Sequence, residues 1–192
     1  MPKVLNVEES KRIIPHYESA LKIALRSDCK EAQFGAVIFH KESVLAEGVN
    51  HIAEAFSGKE CSLDCPRRRM PQLRGGVGAE LCIATHAEEE AVNNFRNLPE
   101  RPGREIEENS LMVVARLKER RQVLPDTIAY VRCTLCAKKL NETNLAGILF
   151  PKSDAGGITF SYFTRKEFAV LSAKNLAEKW IELFPFLAAS KP

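Results

Sequence analysis

Nothing in this 192-residue chain approaches the roughly 20 consecutive apolar residues that a membrane-spanning helix needs. The opening MPKVLNVEESKRII also has no continuous apolar core of the kind a secretion signal carries. These two absences exclude a membrane role and make the cytoplasm the expected location. Excess charge of one sign is lacking too: 28 Lys and Arg face 25 Asp and Glu, for a net charge of +3. That balance is too mild to announce a nucleic-acid binder, and it suits a phosphate-bearing small molecule equally well. Repeats and low-complexity linkers are absent, so nothing marks a domain boundary, and residues 1–192 read as one domain with its own core. Cysteine is what the chain does not lack. Cys29, Cys61, Cys65, Cys82, Cys133 and Cys136 are six thiols in a chain expected to be cytoplasmic, where clustered cysteines serve metal binding or catalysis more often than disulfides.

The periodicity supplies the fold class. Residues 8–27 carry Ile13, Ile14, Tyr17, Leu21, Ala24 and Leu25 at near-helical spacing, with Pro15 expected in the first turn or at a kink there. FGAVIF (34–39) and SVLAEGV (43–49), joined by HKE, read as an antiparallel hairpin. Residues 50–80 hold four Gly, two Pro and two Cys without a period, which marks a long loop of the kind that is functional or tethered. A helix is expected from Thr85, with Ala87, Ala91, Val92 and Phe95 inward. Strands are expected at 111–116, 127–131 and 147–150. A last helix spans 164–183, N-capped by Thr164, with Phe168, Leu171, Leu176 and Trp180 inward. Strands alternating with helices after a hairpin predict an α/β fold, a three-layer α/β/α sandwich on a mixed sheet.

Two segments carry chemistry, and each opens a predicted helix. Cys133-Thr134-Leu135-Cys136 puts two thiolates within one turn, a bite suited to tetrahedral zinc at about 2.3 Å per sulfur. His86 offers a third ligand, and three protein ligands leave the fourth position to water, as catalytic zinc requires. Helix N-termini favour the thiolate form. Glu88, two residues beyond His86, is placed to face a water whose pKa zinc lowers from about 15.7 toward about 7. A carboxylate there can take that proton and pass it on. His-x-Glu followed by Pro-Cys-x-x-Cys is the known zinc deaminase signature, which this chain carries except for the Pro.

THAEEEAV, followed 45 residues after Glu88 by CTLCAKKL, resembles the cytidine/deoxycytidylate deaminase superfamily. FGAVIF…VLAEGVN resembles the hairpin before its site, which ends on a substrate-contacting Asn, here Asn50. CSLDCPRRR…GVGAELCIATHAEEEAV resembles the deoxycytidylate deaminase branch. The resemblance covers roughly residues 10–150. It implies a cytidine deaminase-like fold, one catalytic zinc and hydrolytic deamination of a cytosine nucleotide or nucleoside by a homo-oligomer. It also implies that the Ala87 backbone and Asn50 orient base and sugar. Two departures stand out: Arg132 replaces the Pro that usually precedes the first cysteine of the pair, and Glu89-Glu90-Ala91 stands where the branch has an Asn. The second leaves the substrate open.

The other polar residues admit two readings each. Cys61, Cys65 and Cys82, with His51, make a candidate second, structural zinc pinning the 50–80 loop; the plainer reading is thiols packed as small hydrophobes. Arg67, Arg68 and Arg69 offer forks for a substrate phosphate, against a simply solvated charge run. Lys118, Arg120 and Arg121 read as solvated, Cys29 as buried, and His16 and His40 as non-catalytic. Two rival functions use the same motifs. A nucleic-acid-editing deaminase, acting on tRNA or a single strand, needs stacking aromatics, and Phe56 is the only one in the 50–80 loop. A non-catalytic zinc-binding module has no need of Glu88.

Overall fold

The computed structural model describes residues 2–29, 32–52, 82, 84–118, 122–123, 133–154 and 157–183. The chain opens with β1 (Lys3–Val4) and α1 (Val7–Ala24). Asn6 caps α1 through a capping box: its side chain accepts from the Glu9 N–H at 2.9 Å, and the Glu9 carboxylate accepts from the Asn6 N–H at 2.9 Å. Pro15 lies well inside α1, not in its first turn, on an exposed position where water can take the backbone carbonyl it leaves unpaired. A hairpin follows, β2 (Gln33–His40) and β3 (Ser43–Val49), turning at Lys41 with φ of 52°. Then come β4 (His51–Ile52), β5 (Ala84–Thr85), α2 (Ala87–Arg96) and α3 (Arg104–Glu108). The remainder is β6 (Leu111–Lys118), β7 (Gln122–Val123), α4 (Thr134–Asn141), β8 (Gly147–Asp154), β9 (Gly157–Thr164) and α5 (Arg165–Leu183).

The main sheet runs β1–β9–β8–β6–β2–β3, with β7 paired to β6; β4 and β5 form a separate two-stranded ribbon. Among the described strands only β6 and β8 run parallel, so the sheet is mixed. Both faces are covered, which explains why the central strands are apolar on alternate residues of both parities. Val37 and Phe39, Val113 and Ala115, Leu149 and Phe160 pack with Ile13, Tyr17, Ala20 and Ile23 of α1. Ala36 and Ile38, Met112 and Val114, Ile148 and Phe150 pack with α2, α4 and α5 through Ala91, Phe95, Leu140 and Phe168. The expected three-layer α/β/α sandwich is therefore the fold. Among the described residues no helix is long and apolar enough to cross a membrane.

Two glycines set the layer spacing. A Cβ on Gly35 would run into the α1 backbone at Ala20 and Ala24, and one on Gly48 would run into the α2 backbone at Ala87 and Ala91. Only glycine allows either helix to sit this close to its strand.

Three expectations change. The strand expected at 147–150 is longer: β8 runs to Asp154 and turns into β9, whose Phe160 and Phe163 are buried on opposite faces. Trp180 is 38% exposed; the buried stripe of α5 is Phe168, Ser172 and Asn175, one step around the helix from Leu176 and Trp180. Cys29 is half-buried. The 127–131 strand, the side chain of Lys118, and Arg120 and Arg121 lie outside the described residues.

Candidate active site

Two helices deliver the site. His86 is the N-cap of α2, in extended conformation, and its side chain makes no capping bond. Cys133 is the N-cap of α4, and Cys136 lies in that helix's first turn. The helices face one another across the core, and their far ends are joined by the Arg96–Glu142 ion pair. The ring nitrogen of His86 and the two sulfurs lie within 4.8 Å of one another, with His86 Nδ1 3.1 Å from Cys136 Sγ. Tetrahedral zinc with bonds of about 2.0–2.3 Å holds its ligand atoms about 3.5–3.8 Å apart, so the three donors need only small shifts to close on an ion. Both sulfurs are buried, and this soft set of two sulfurs and one nitrogen suits zinc and leaves room for one further ligand.

The electrostatics fit that role. A hydrogen bond from the Cys136 thiol, opposed by burial and helped by the nearby His86, lowers the pKa of Cys133 and holds it as thiolate. The same bond, with burial, pushes Cys136 up. Burial opposes charge on His86, but hydrogen bonds to the Cys133 and Cys82 sulfurs and the charges of Cys133 and Glu88 outweigh it, so its pKa is raised. Without metal the three donors thus share protons among themselves; each proton is one that a bound metal displaces. Glu88 is 4% exposed and lies beside Cys136. Burial raises its pKa, and the neighbouring His86 partly offsets this.

The structure brings together His86, Glu88, Cys133 and Cys136 as the sequence predicts. Ala87 is fully buried beneath Gly48. Asn50 is 5% exposed and ends β3, but its amide is engaged: Oδ1 accepts from the Phe34 N–H at 2.6 Å and Nδ2 donates to the Ala32 carbonyl at 2.9 Å. Of the residues expected at a second zinc, His51 and Cys82 are described. The His51 ring lies 3.4 Å from Glu90, and the Cys82 sulfur bonds to His86. Cys61, Cys65, Arg67, Arg68 and Arg69 lie outside the described residues. His86, Cys133 and Cys136 are the one group of metal donors among the described residues. His16 is structural: its Nε2 pairs with the Lys41 carbonyl at 2.7 Å, and its ring stacks on Phe39. Sequence reasoning gave Glu90 no role beyond a departure from the family pattern. In the structure its carboxylate accepts the Val49 N–H.

An α/β/α sandwich whose two facing helix N-termini present one nitrogen and two sulfurs beside a buried carboxyl is the frame of a zinc-dependent deaminase. Residues 11–151 match the cytidine and deoxycytidylate deaminase zinc-binding region. The chain belongs to that family of zinc-dependent hydrolases, and zinc is its cofactor. Among solved structures it is similar to the dCMP deaminase of cyanophage S-TIM5 in apo form, at 17% identity over 75% of this chain and 82% of that one, with a TM-score of 0.45. The same phage enzyme in complex with dCMP and dUMP gives 15% identity over 75% and 81%, with a TM-score of 0.40. It is also similar to cytidine deaminase from Burkholderia pseudomallei, at 11% identity over 85% and 96%, with a TM-score of 0.44. No curated protein sequence matches the chain.

Proposed function

We propose that this enzyme deaminates the cytosine ring of a small nucleotide or nucleoside, consuming one water and releasing one ammonia. The observation that carries this reading is the buried Glu88 carboxyl beside His86, Cys133 and Cys136. His86, Cys133 and Cys136 would hold the zinc, which when bound would make its water acidic enough to attack at neutral pH. Glu88 would take one proton from the attacking water and pass it to the ring nitrogen next to the amine-bearing carbon. It would then take the second proton from the newly attached hydroxyl and pass it to the amine as the carbon–nitrogen bond breaks, leaving a carbonyl and one ammonia. Burial supports this shuttle, because it raises the pKa of Glu88 and so makes the carboxylate a better proton acceptor than a free one. Asn50 retains one N–H and one lone pair for the sugar, and the Ala87 backbone faces the base.

Within that reading the preferred substrate is a phosphorylated cytosine nucleotide, with Arg67 and Arg68 holding the phosphate; a charged hydrogen bond of about 1.5–3 kcal/mol corresponds to a preference of about tenfold to hundredfold. Cys61, Cys65, Cys82 and His51 remain candidates for a second, structural zinc.

Ammonia release from cytidine, deoxycytidine, their mono- and triphosphates, adenosine and guanine tests the substrate class, with activity confined to cytosine compounds as the expected result. Glu88→Gln should lower turnover by about 10²–10⁴-fold while zinc content stays unchanged. Retained activity, or loss of zinc in this variant, overturns the assignment of Glu88.

A further inference from the structure

β3 is the last strand of the main sheet. Asn50 N–H bonds inward to the Phe34 carbonyl of β2, so by the alternation of an antiparallel ladder Val49 N–H and Glu47 C=O point to the outer edge. The catalytic helix meets both. Glu90 accepts the Val49 N–H, and Asn94 Nδ2 donates to the Glu47 carbonyl at 2.8 Å. The spacings fit: four residues of helix rise about 6 Å, and two residues of strand span about 6.6–6.8 Å. One face of α2 thus does the work of a missing neighbour strand.

Glu90 does more than cover the edge. Its second oxygen lies 3.4 Å from His51 Nδ1, which is itself 3.2 Å from the Val49 carbonyl. His51 in turn pairs with Thr85, the residue before the His86 ligand. Glu90 therefore grips the chain on both sides of Asn50, from the helix that carries Glu88 one half-turn away. We propose that Glu90 is a positioning residue: it fixes Val49–His51, and with it Asn50, relative to the catalytic helix, and so sets how well the substrate is held before reaction. This rests on the deaminase reading in which Asn50 meets the substrate.

Two measurements on the zinc-loaded full chain test it. In amide hydrogen exchange, Glu90→Ala should release protection at Val49–Ile52 while α2 stays protected, and Glu90→Gln, which keeps an oxygen for the Val49 N–H, should retain it. In steady-state kinetics on the best cytosine substrate, Glu90→Ala should raise KM about tenfold or more, as expected for one lost charged hydrogen bond, with kcat within about threefold and zinc content unchanged. Glu90→Gln should restore KM to within about threefold. If Glu90→Ala does not fold, Glu90→Asp draws the acceptor back by one methylene and carries the same expectation. Unchanged exchange at 49–52, an unchanged KM, or a loss confined to kcat each overturns the proposal. A wild type inactive on every cytosine compound strikes the deaminase reading instead, and the exchange result still decides whether the grip exists.

Discussion

Four long or catalytic helices use the same position, the N-cap, in two different ways. α1 and α5 open on Asn6 and Thr164, each paired with a Glu three residues on; Thr164 Oγ1 accepts the Glu167 N–H at 3.2 Å, and Glu167 accepts the Thr164 N–H at 3.0 Å. α2 and α4 open on His86 and Cys133. The N-cap side chain is the one held beside the unpaired N–H groups of the first turn, where the positive end of the helix favours negative charge. An oxygen there stabilises the helix by about 1 kcal/mol. Giving the position to a metal donor forgoes that gain and places a thiolate, or a ring beside one, where it is electrostatically favoured. The two catalytic helices recover stability elsewhere: α2 by lying directly on Gly48, and both through the Arg96–Glu142 pair.

The largest break in this comparison comes from His86→Ala. It should remove about one zinc per chain relative to wild type and abolish deamination, since a site of two sulfurs lacks a third anchor. Zinc content equal to wild type in that variant would show that another residue completes the donor set. A paired test sharpens the contrast between faces: Gly35→Ala and Gly48→Ala each push a methyl into a helix backbone and should each cost about 1–3 kcal/mol in denaturant unfolding. Gly48→Ala should also lower kcat, because the helix it displaces carries His86 and Glu88, whereas Gly35→Ala should leave kcat near wild type. Equal kinetic effects from the two would dissolve the division of labour. The smallest effect is Asn6→Ala, with a loss of about 1 kcal/mol and a fall in Tm of about 2–4 °C at unchanged activity. No change in Tm would mean that the Lys3–Glu9 pair alone suffices to anchor that end.

The donor set was legible in the sequence because short-range spacing fixes it: two cysteines three apart at a helix start share one turn in any fold, and His-x-Glu does much the same for ring and carboxyl. The sandwich was legible because the central strands are apolar on both faces. β9 was missed although ITFSYF alternates, because Ser161 and Tyr162 dilute the apolar pattern and the hairpin partner is seen only once β8 is extended. Trp180 was assigned inward on hydrophobicity, whereas packing chose the smaller Ser172 and Asn175 where α5 lies close to the sheet. Glu90 could not be read at all. Its partners, Val49 N–H and His51, are about 40 residues away, and nothing local marks a carboxylate that serves a strand edge.

That strand edge bears on how copies of the chain could meet. Chains often associate by lining up edge strands, and a long open edge also invites uncontrolled fibre growth. At β3 the Glu47 carbonyl and the Val49 N–H are already occupied by Asn94 and Glu90, which blunts the edge at that end. The side chains that steady the catalytic helix also act as gatekeepers, and a self-assembly built on this enzyme has to use surfaces other than sheet extension past that end of β3.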